Sequence, residues 1–396
     1  MKKTTLTAVG GRDPARQAGA VSPGPVRAST IVAPTLAEFD AMKRVRPGDG
    51  LTYALHGTPG VFAFEEALAA LEGGGRSRVC PSGLMAITAP LLCFLSPGDH
   101  LLITDAVYEP ARKFCEITLK RFGVETTFYD PLLGEEIAAL MRPETKVVFL
   151  ESPSSLTFEV QDVPALARAA KARGAVVMMD NTWASPLYFQ PLAHGVDVSI
   201  QALTKYVGGH SDMILGAVTA TDAVYPTLQK TWRALGVSAG PDEVYLAHRG
   251  LASLPMRMAH HHASGLKLAA WLQAQPEVLE VVHPGLPEDP GHALWRRDFS
   301  GAGGLFAFTL DAAAAPRPAL AALLDGMRYF KLGFSWGGIV SMLTPSDPRP
   351  VRSAGGWPRA GRADGQLMRV FAGLEDPEDL IEDLDAGFAR LRAAAR

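Results

Sequence analysis

The run Lys146-Val147-Val148-Phe149-Leu150, the segment Pro164-Ala165-Leu166-Ala167-Arg168-Ala169-Ala170-Lys171 and the run Ala175-Val176-Val177-Met178-Met179 decide the fold class. The outer runs are apolar almost without interruption. The middle segment is an amphipathic helix that Gly174 ends. Strand, helix, strand is a βαβ unit, and strands apolar on both faces belong in a parallel sheet. Outward from this unit, residues 100–104 and 198–202 predict two more buried strands. Residues 64–72 predict a helix stopped by Gly73-Gly74-Gly75, and 84–95 a buried helix. Beyond about Arg249 the pattern turns mixed. A strand at 304–310 precedes a helix from Arg317 to about Leu324, and a strand at 366–371 precedes a closing helix at 377–394. The expectation is an α/β protein with a mostly parallel sheet in a large domain, 58–251, and a smaller α+β domain, 252–396. Residues 1–57, rich in Gly, Pro and Ser, predict an extended arm lying on the main domain or on another subunit.

A chain of 396 residues is too long for one ordinary core, which agrees with two domains. The balance of 38 basic against 41 acidic residues gives no footprint for nucleic acid or a polybasic membrane anchor. Cys80, Cys93 and Cys115 are few, odd in number and set among apolar neighbours, so they read as core thiols. Met1-Lys2-Lys3 is followed by no apolar signal core, and the 84–95 run is broken by Thr88 and Pro90. A soluble, cytoplasmic protein is expected. No Gly-x-Gly-x-x-Gly or Gly-Lys-Ser/Thr loop occurs, which argues against a nicotinamide oxidoreductase or a phosphate-loop enzyme. His260-His261-His262 resembles a metal cluster, but consecutive helix positions diverge by about 100°. Surface histidines and no metal are the expectation.

The chemistry-bearing residues converge on strand ends. Asp180 closes the apolar run 175–179, at the carboxyl edge where open α/β sheets bind ligands. The strand at 198–202 delivers Thr204-Lys205, and Lys205 precedes the turn Gly208-Gly209. A lysine between a buried strand and a glycine turn is badly placed for a solvated ammonium, and burial lowers its pKa. Pro81-Ser82-Gly83-Leu84 opens a helix whose free N–H groups favour a phosphate, with Thr204 able to add a hydroxyl. Tyr108 follows another strand end and offers a stacking ring. Arg369 sits in an apolar strand, where a bidentate carboxylate is its natural partner. Lysine, acid, phosphate cradle, aromatic and arginine form the set that pyridoxal phosphate (PLP) requires. The lysine forms the Schiff base, and the acid keeps the pyridine nitrogen protonated as an electron sink.

Ser199-Ile200-Gln201-Ala202-Leu203-Thr204-Lys205-Tyr206, Asp180-Asn181-Thr182-Trp183, Glu151-Ser152-Pro153 and Ser335-Trp336-Gly337-Gly338 together resemble the cysteine and methionine metabolism family of PLP enzymes. The resemblance runs from about Tyr53 to the C-terminal helix. It implies PLP fold type I, the aspartate aminotransferase-like fold, and a homotetramer of two active-site dimers with each arm reaching its neighbour's site. It implies the Schiff base on Lys205, the pyridine contact on Asp180, and the stacking ring on Tyr108, which also assists proton transfer. Gly83, Leu84 and Thr204 are implied as phosphate contacts, and Arg369, Ser335 and Trp336 as substrate contacts. The family's arm carries Tyr-x-Arg toward the adjacent phosphate. Here Tyr53 is present but Leu55 replaces the arginine, with His56 a candidate substitute. After Ser335-Trp336-Gly337-Gly338, Ile339-Val340-Ser341 also departs from the family's pattern. Members acting at Cγ tend to carry an acid just before Ser-Leu-Gly-Gly and an Asn-Pro after Glu-Ser-Pro. Phe334, Trp336 and Ser154-Ser155-Leu156 stand here instead and favour β-elimination of L-cystathionine to homocysteine, pyruvate and ammonia. The alternatives are a γ-lyase or γ-synthase, a cysteine desulfhydrase, and a PLP-binding regulator without turnover. The complete set Lys205, Asp180, Tyr108 and Arg369 argues against the last.

Overall fold

Side-chain alternation along the central strands sets the layering of the large domain. In the computed structural model, which describes residues 1–45, 50–359 and 361–395, seven strands form one sheet. They are β1 (Arg76–Cys80), β2 (His100–Thr104), β3 (Glu125–Tyr129), β4 (Thr145–Glu151), β5 (Val176–Asp180), β6 (Val198–Gln201) and β7 (Gly216–Ala220). Their order is β1-β7-β6-β5-β4-β2-β3. Strands β3, β2, β4, β5 and β6 are parallel, while β7 runs antiparallel to both β6 and β1. β1 therefore points the same way as β6, and the carboxyl ends of β1, β4, β5 and β6 share one edge. Leu101, Ile103, Val147, Phe149 and Met178 face one core, and Leu102, Val148, Leu150, Val177 and Met179 the other. Helices cover both faces, as a sheet of near-continuous apolar strands demands.

Four antiparallel strands build the small sheet: β8 (Val278–Val282), β9 (Leu305–Leu310), β10 (Met342–Ser346) and β11 (Gln366–Phe371), in the order β10-β11-β9-β8. Helices Arg317–Asp325 and Pro377–Ala394 close its core through Leu320, Leu323, Leu384 and Phe388. The expected boundary at 251/252 falls inside one continuous helix, Pro241–Gln273. Its Val244, Leu251, Leu254 and Met258 belong to the large core, and its Leu268, Ala269 and Leu272 to the small one. No break in composition marks the transition, because one amphipathic helix serves both cores.

The three histidines of that helix are not the surface residues expected. His261 is fully buried and donates to the Ala372 carbonyl at 2.9 Å. His262 accepts from the Ala302 N–H, and His260 contacts the Glu375 carbonyl. They pin the helix to neighbouring segments in three different directions.

The arm also departs from the extended reading. Residues 46–49 of it lie outside the described residues. Lys3–Val9 is helical, and Lys3 Nζ donates to the Pro186 and Leu187 carbonyls at 3.2 and 2.9 Å. Arg12 reaches the His248 carbonyl at 2.9 Å, and His248 donates back to Gly10 at 2.8 Å. The first dozen residues are thus docked on their own large domain. A second helix, Leu36–Arg44, has Thr35 as its N-cap yet buries none of its residues. Among the described residues no helix is long and apolar enough to cross a membrane. Cys80 and Cys115 are buried and Cys93 half-buried; burial pushes all three thiols up to about 12, which keeps them unreactive.

Candidate active site

Glu151 and Asp180 end neighbouring parallel strands and are Cα partners across the β4–β5 ladder. That register sets the half-buried Glu151 carboxyl beside the buried Asp180 carboxyl at the shared carboxyl edge. Asp180 Oδ1 accepts the Thr182 N–H at 2.9 Å, and no cation pairs with it among the described residues. Burial raises its pKa, opposed by the Thr182 hydrogen bonds and the charge of Lys205. For Glu151, burial first and Asp180 second push the pKa well up, so Glu151 is the neutral member of the pair.

Lys205 follows β6 by one turn, its N–H bonded to the Ala202 carbonyl. Its Nζ donates to Ser335 Oγ at 2.6 Å and lies 5.3 Å from the centre of the Trp336 ring. Burial, and then the charge of Arg369, lower its ammonium to about 8 against the pull of Asp180. Ser335 holds this position at φ +85°, a left-handed conformation that costs a non-glycine residue of order 1–3 kcal/mol. Gly337, at φ +84°, lies so close that a Cβ there would come within 2.9 Å of the Lys205 backbone. The segment from the small domain is thus laid directly on the lysine.

Arg369 stands mid-strand in β11, opposite Ala307 and Thr344. Its Nη2 makes one long contact to the Ser335 carbonyl at 3.5 Å, and no carboxylate pairs with it among the described residues. Tyr108 precedes helix Glu109–Lys113, and its backbone N–H donates to Glu151 Oε2 at 2.8 Å. Burial first, and then the charge of Asp180, raise its phenol, with Arg369 opposing. Those mutual influences place Tyr108, Asp180, Lys205 and Arg369 within one electrostatic cluster.

Ser82 caps helix Gly83–Phe94 by accepting the Met85 N–H at 3.1 Å. A Cβ on Gly83 would fall 2.5 Å from Ala202 Cβ, so glycine lets this helix N-terminus close onto the segment leading to Lys205. The hydroxyl of Thr204 donates to the Leu215 carbonyl at 3.1 Å and accepts its N–H at 3.0 Å. Tyr53 is not brought to the cluster. It lines a separate cavity with Leu55 and His56. Sequence reasoning quoted Glu151 within a motif but gave it no part in the site; its proximity to Asp180 comes from strand register.

These residues fit PLP on physical grounds. A buried carboxylate without a cation and a partly buried guanidinium without an anion are both unfavourable in the chain alone. A protonated ring nitrogen satisfies the first and an anionic ligand the second, with an amine of lowered pKa between them. The chain matches the family described as Cys/Met metabolism PLP-dependent enzyme over residues 4–389.

The chain belongs to that family.

It is 40% identical to the cystathionine β-lyase of Escherichia coli over 385 residues and 41% identical to that of Salmonella typhimurium over 387, each match covering 96% of both chains. It is also 37% identical over 403 residues to an L-alanine/L-glutamate racemase of Wolbachia pipientis, covering 99% of this chain and 98% of the relative. Among solved structures, cystathionine γ-synthase of Xanthomonas oryzae in complex with cystathionine superposes with a TM-score of 0.88 at 32% identity, covering 100% and 99% of the two chains. As a member of the family the chain is a PLP-dependent enzyme of fold type I, with a mostly parallel large sheet and a smaller antiparallel one.

Proposed function

We propose that this chain cleaves L-cystathionine by β-elimination, releasing homocysteine, pyruvate and ammonia. The observation that carries the reading is Lys205 Nζ, of lowered pKa, held on Ser335 between the unpaired charges of Asp180 and Arg369. Lys205 and Asp180 would hold PLP, which when bound would supply an electron sink for charge developing at the substrate Cα.

The chain's own groups do the rest. Arg369 receives the α-carboxylate through its planar fork, which fixes the Cα–H direction. With its Nζ free, the Lys205 amine would be a base matched to neutral pH, placed to take the Cα proton. Ser335 holds that amine in line. Tyr108 keeps its phenolic proton across this range, so it acts as a donor to the sulfur leaving from Cβ. Water completes the release of pyruvate and ammonia. Gly83 and Leu84 offer N–H groups for the phosphate and Trp336 a wall beside the lysine; the Thr204 hydroxyl joins them only by giving up its donation to the Leu215 carbonyl. The choice of β- over γ-chemistry rests on Phe334, which stands where an acid marks the γ-acting members, on Trp336 in place of their leucine, and on Ser154-Ser155-Leu156 in place of their Asn-Pro.

The same reading extends to the assembly: a cytoplasmic homotetramer of two active-site dimers, with an arm (1–57), a PLP domain (58–251) and a small domain (252–396). In each dimer the arm offers Tyr53 to its neighbour's site. A helix at Leu36–Arg44 with no buried face, and Tyr53 remote from its own Lys205, support that arrangement. Replacing Lys205 by Ala tests the assignment. The purified protein is expected to lose both the yellow absorbance of lysine-bound PLP and cystathionine turnover; retention of both overturns it.

A further inference from the structure

A cavity of about 300 Å³ lies between the arm and helix Tyr225–Ala234. Its described walls include Tyr53, Leu55, His56, Arg78 and Arg233, and none of the Lys205 cluster. Three of these side chains can carry positive charge, and two are already accounted for. Arg78 Nη1 meets Glu65 Oε2 at 2.6 Å, both buried, so that pair is internally neutralised. His56 is held in its neutral form by burial, then by the charges of Arg233 and Arg78. It is therefore no substitute for the arm arginine whose place Leu55 takes. Arg233 is exposed on the last turn of its helix and pairs with no carboxylate among the described residues. The cavity thus presents one uncompensated guanidinium, the Tyr53 phenol and an apolar Leu55 side chain, a polarity that selects an anion.

We propose that Arg233, with Tyr53, receives an anionic group presented by the adjoining copy's active site, and so supplies the charge that Leu55 lacks. The inference rests on the reading that the arm joins a neighbour's site. Two anions share the required chemistry: the phosphate ester of the neighbour's PLP and the second carboxylate of the amino-acid substrate. A cation lost from one position of a wall and supplied from another on the same wall preserves the electrostatics while changing the element that carries it.

The test uses the full-length protein with Arg233→Ala, Arg233→Lys and the double change Arg233→Ala/Leu55→Arg. Each is stripped of PLP, retitrated by absorbance to give a dissociation constant, and assayed for KM. Loss of a charge-assisted contact is expected to weaken one of these by about tenfold or more. A weakened PLP constant with KM unchanged identifies the phosphate; a raised KM with PLP affinity unchanged identifies the substrate carboxylate. In either case Leu55→Arg is expected to restore the loss. Values within about twofold of the parent in both assays overturn the proposal, as does a loss that Leu55→Arg leaves in place. Sedimentation of the same variants guards against a purely structural role: a loss that tracks dissociation of the assembly also overturns it. A parent protein that neither binds PLP nor turns over cystathionine refutes the underlying function instead.

Discussion

Replacing Arg369 by Ala tests how the substrate is held. The guanidinium has one long contact to the Ser335 carbonyl, 3.5 Å, so nearly all its donors remain for a ligand. Two parallel hydrogen bonds to an α-carboxylate, at about 1.5–3 kcal/mol each for charged partners, total about 3–6 kcal/mol. At 1.4 kcal/mol per decade, kcat/KM for L-cystathionine is expected to fall by about 10²–10⁴-fold. Lys at this position keeps the charge but not the fork, so Arg369→Lys is expected to recover only part of the loss. A second signature follows from electrostatics. The charge of Arg369 is one of the causes that lower the Lys205 ammonium to about 8. Removing it relieves like-charge repulsion, so the alkaline-going rise of kcat that reports the Lys205 amine is expected to move to higher pH. Steady-state kinetics from pH 6 to 10 read both effects. A variant within about threefold of the parent, with an unmoved pH profile, refutes the assignment of Arg369 to the carboxylate.

Glu151 is expected to tolerate Gln, because a neutral carboxyl and an amide offer the same carbonyl to the Tyr108 N–H; Glu151→Ala, which leaves that donor unsatisfied, is expected to cost about 1–3 kcal/mol in kcat/KM. Equal damage from both changes contradicts a neutral Glu151. Asp105 anchors the small-domain strand of chain at Arg352–Ala354 beside the Tyr108 turn, accepting from Arg352 Nε at 3.1 Å, the Ser353 hydroxyl at 2.7 Å and the Ala354 N–H at 2.9 Å, as well as from Arg112. Asp105→Ala takes one carboxylate from two buried guanidinium groups, leaving Arg112 with Glu116 and Arg352 with Glu159, and is expected to destabilise the fold by about 3 kcal/mol in denaturant unfolding; a loss under 1 kcal/mol contradicts the anchor. His248, His261 and His283 are buried with pKa values lowered to about 4, 4 and 3, largely by desolvation. Unfolded histidines bind protons below about 6.5 while these do not, so stability is complete above that pH and falls as pH drops toward 4, by about 1.4 kcal/mol per unit per histidine. A denaturation midpoint that stays flat between pH 7 and 5 contradicts this.

The parts of the fold that could be read from sequence were those where burial dictates composition. β2, β4 and β5 are apolar on both faces and β6 on one, with every residue of it buried, and residue order alone exposed them. β1 was missed because it carries Arg76 and Arg78, and only the fold reveals Glu65 waiting beneath Arg78. β3 is an edge strand with a half-exposed, polar sequence, and β7 is short and built of small residues. The N-terminal helix Lys3–Val9 is too short to show a period and packs only Leu6 on the large core; carbonyls of a distant segment hold it through Lys3. At the site, Asp180 and Lys205 were legible because each follows a buried strand directly. Glu151 was visible only as part of a motif, since nothing in linear order tells that β4 and β5 end in register. The neutral state of His56 was equally hidden, because it depends first on burial and then on Arg233 and Arg78, which lie far away in the chain.

The central claim, β-elimination of cystathionine, is tested most directly by the products of one reaction. PLP-loaded protein is incubated with L-cystathionine, and keto acid and thiol are quantified in the same sample. The account predicts pyruvate and homocysteine in equal amounts. α-Ketobutyrate with cysteine contradicts it.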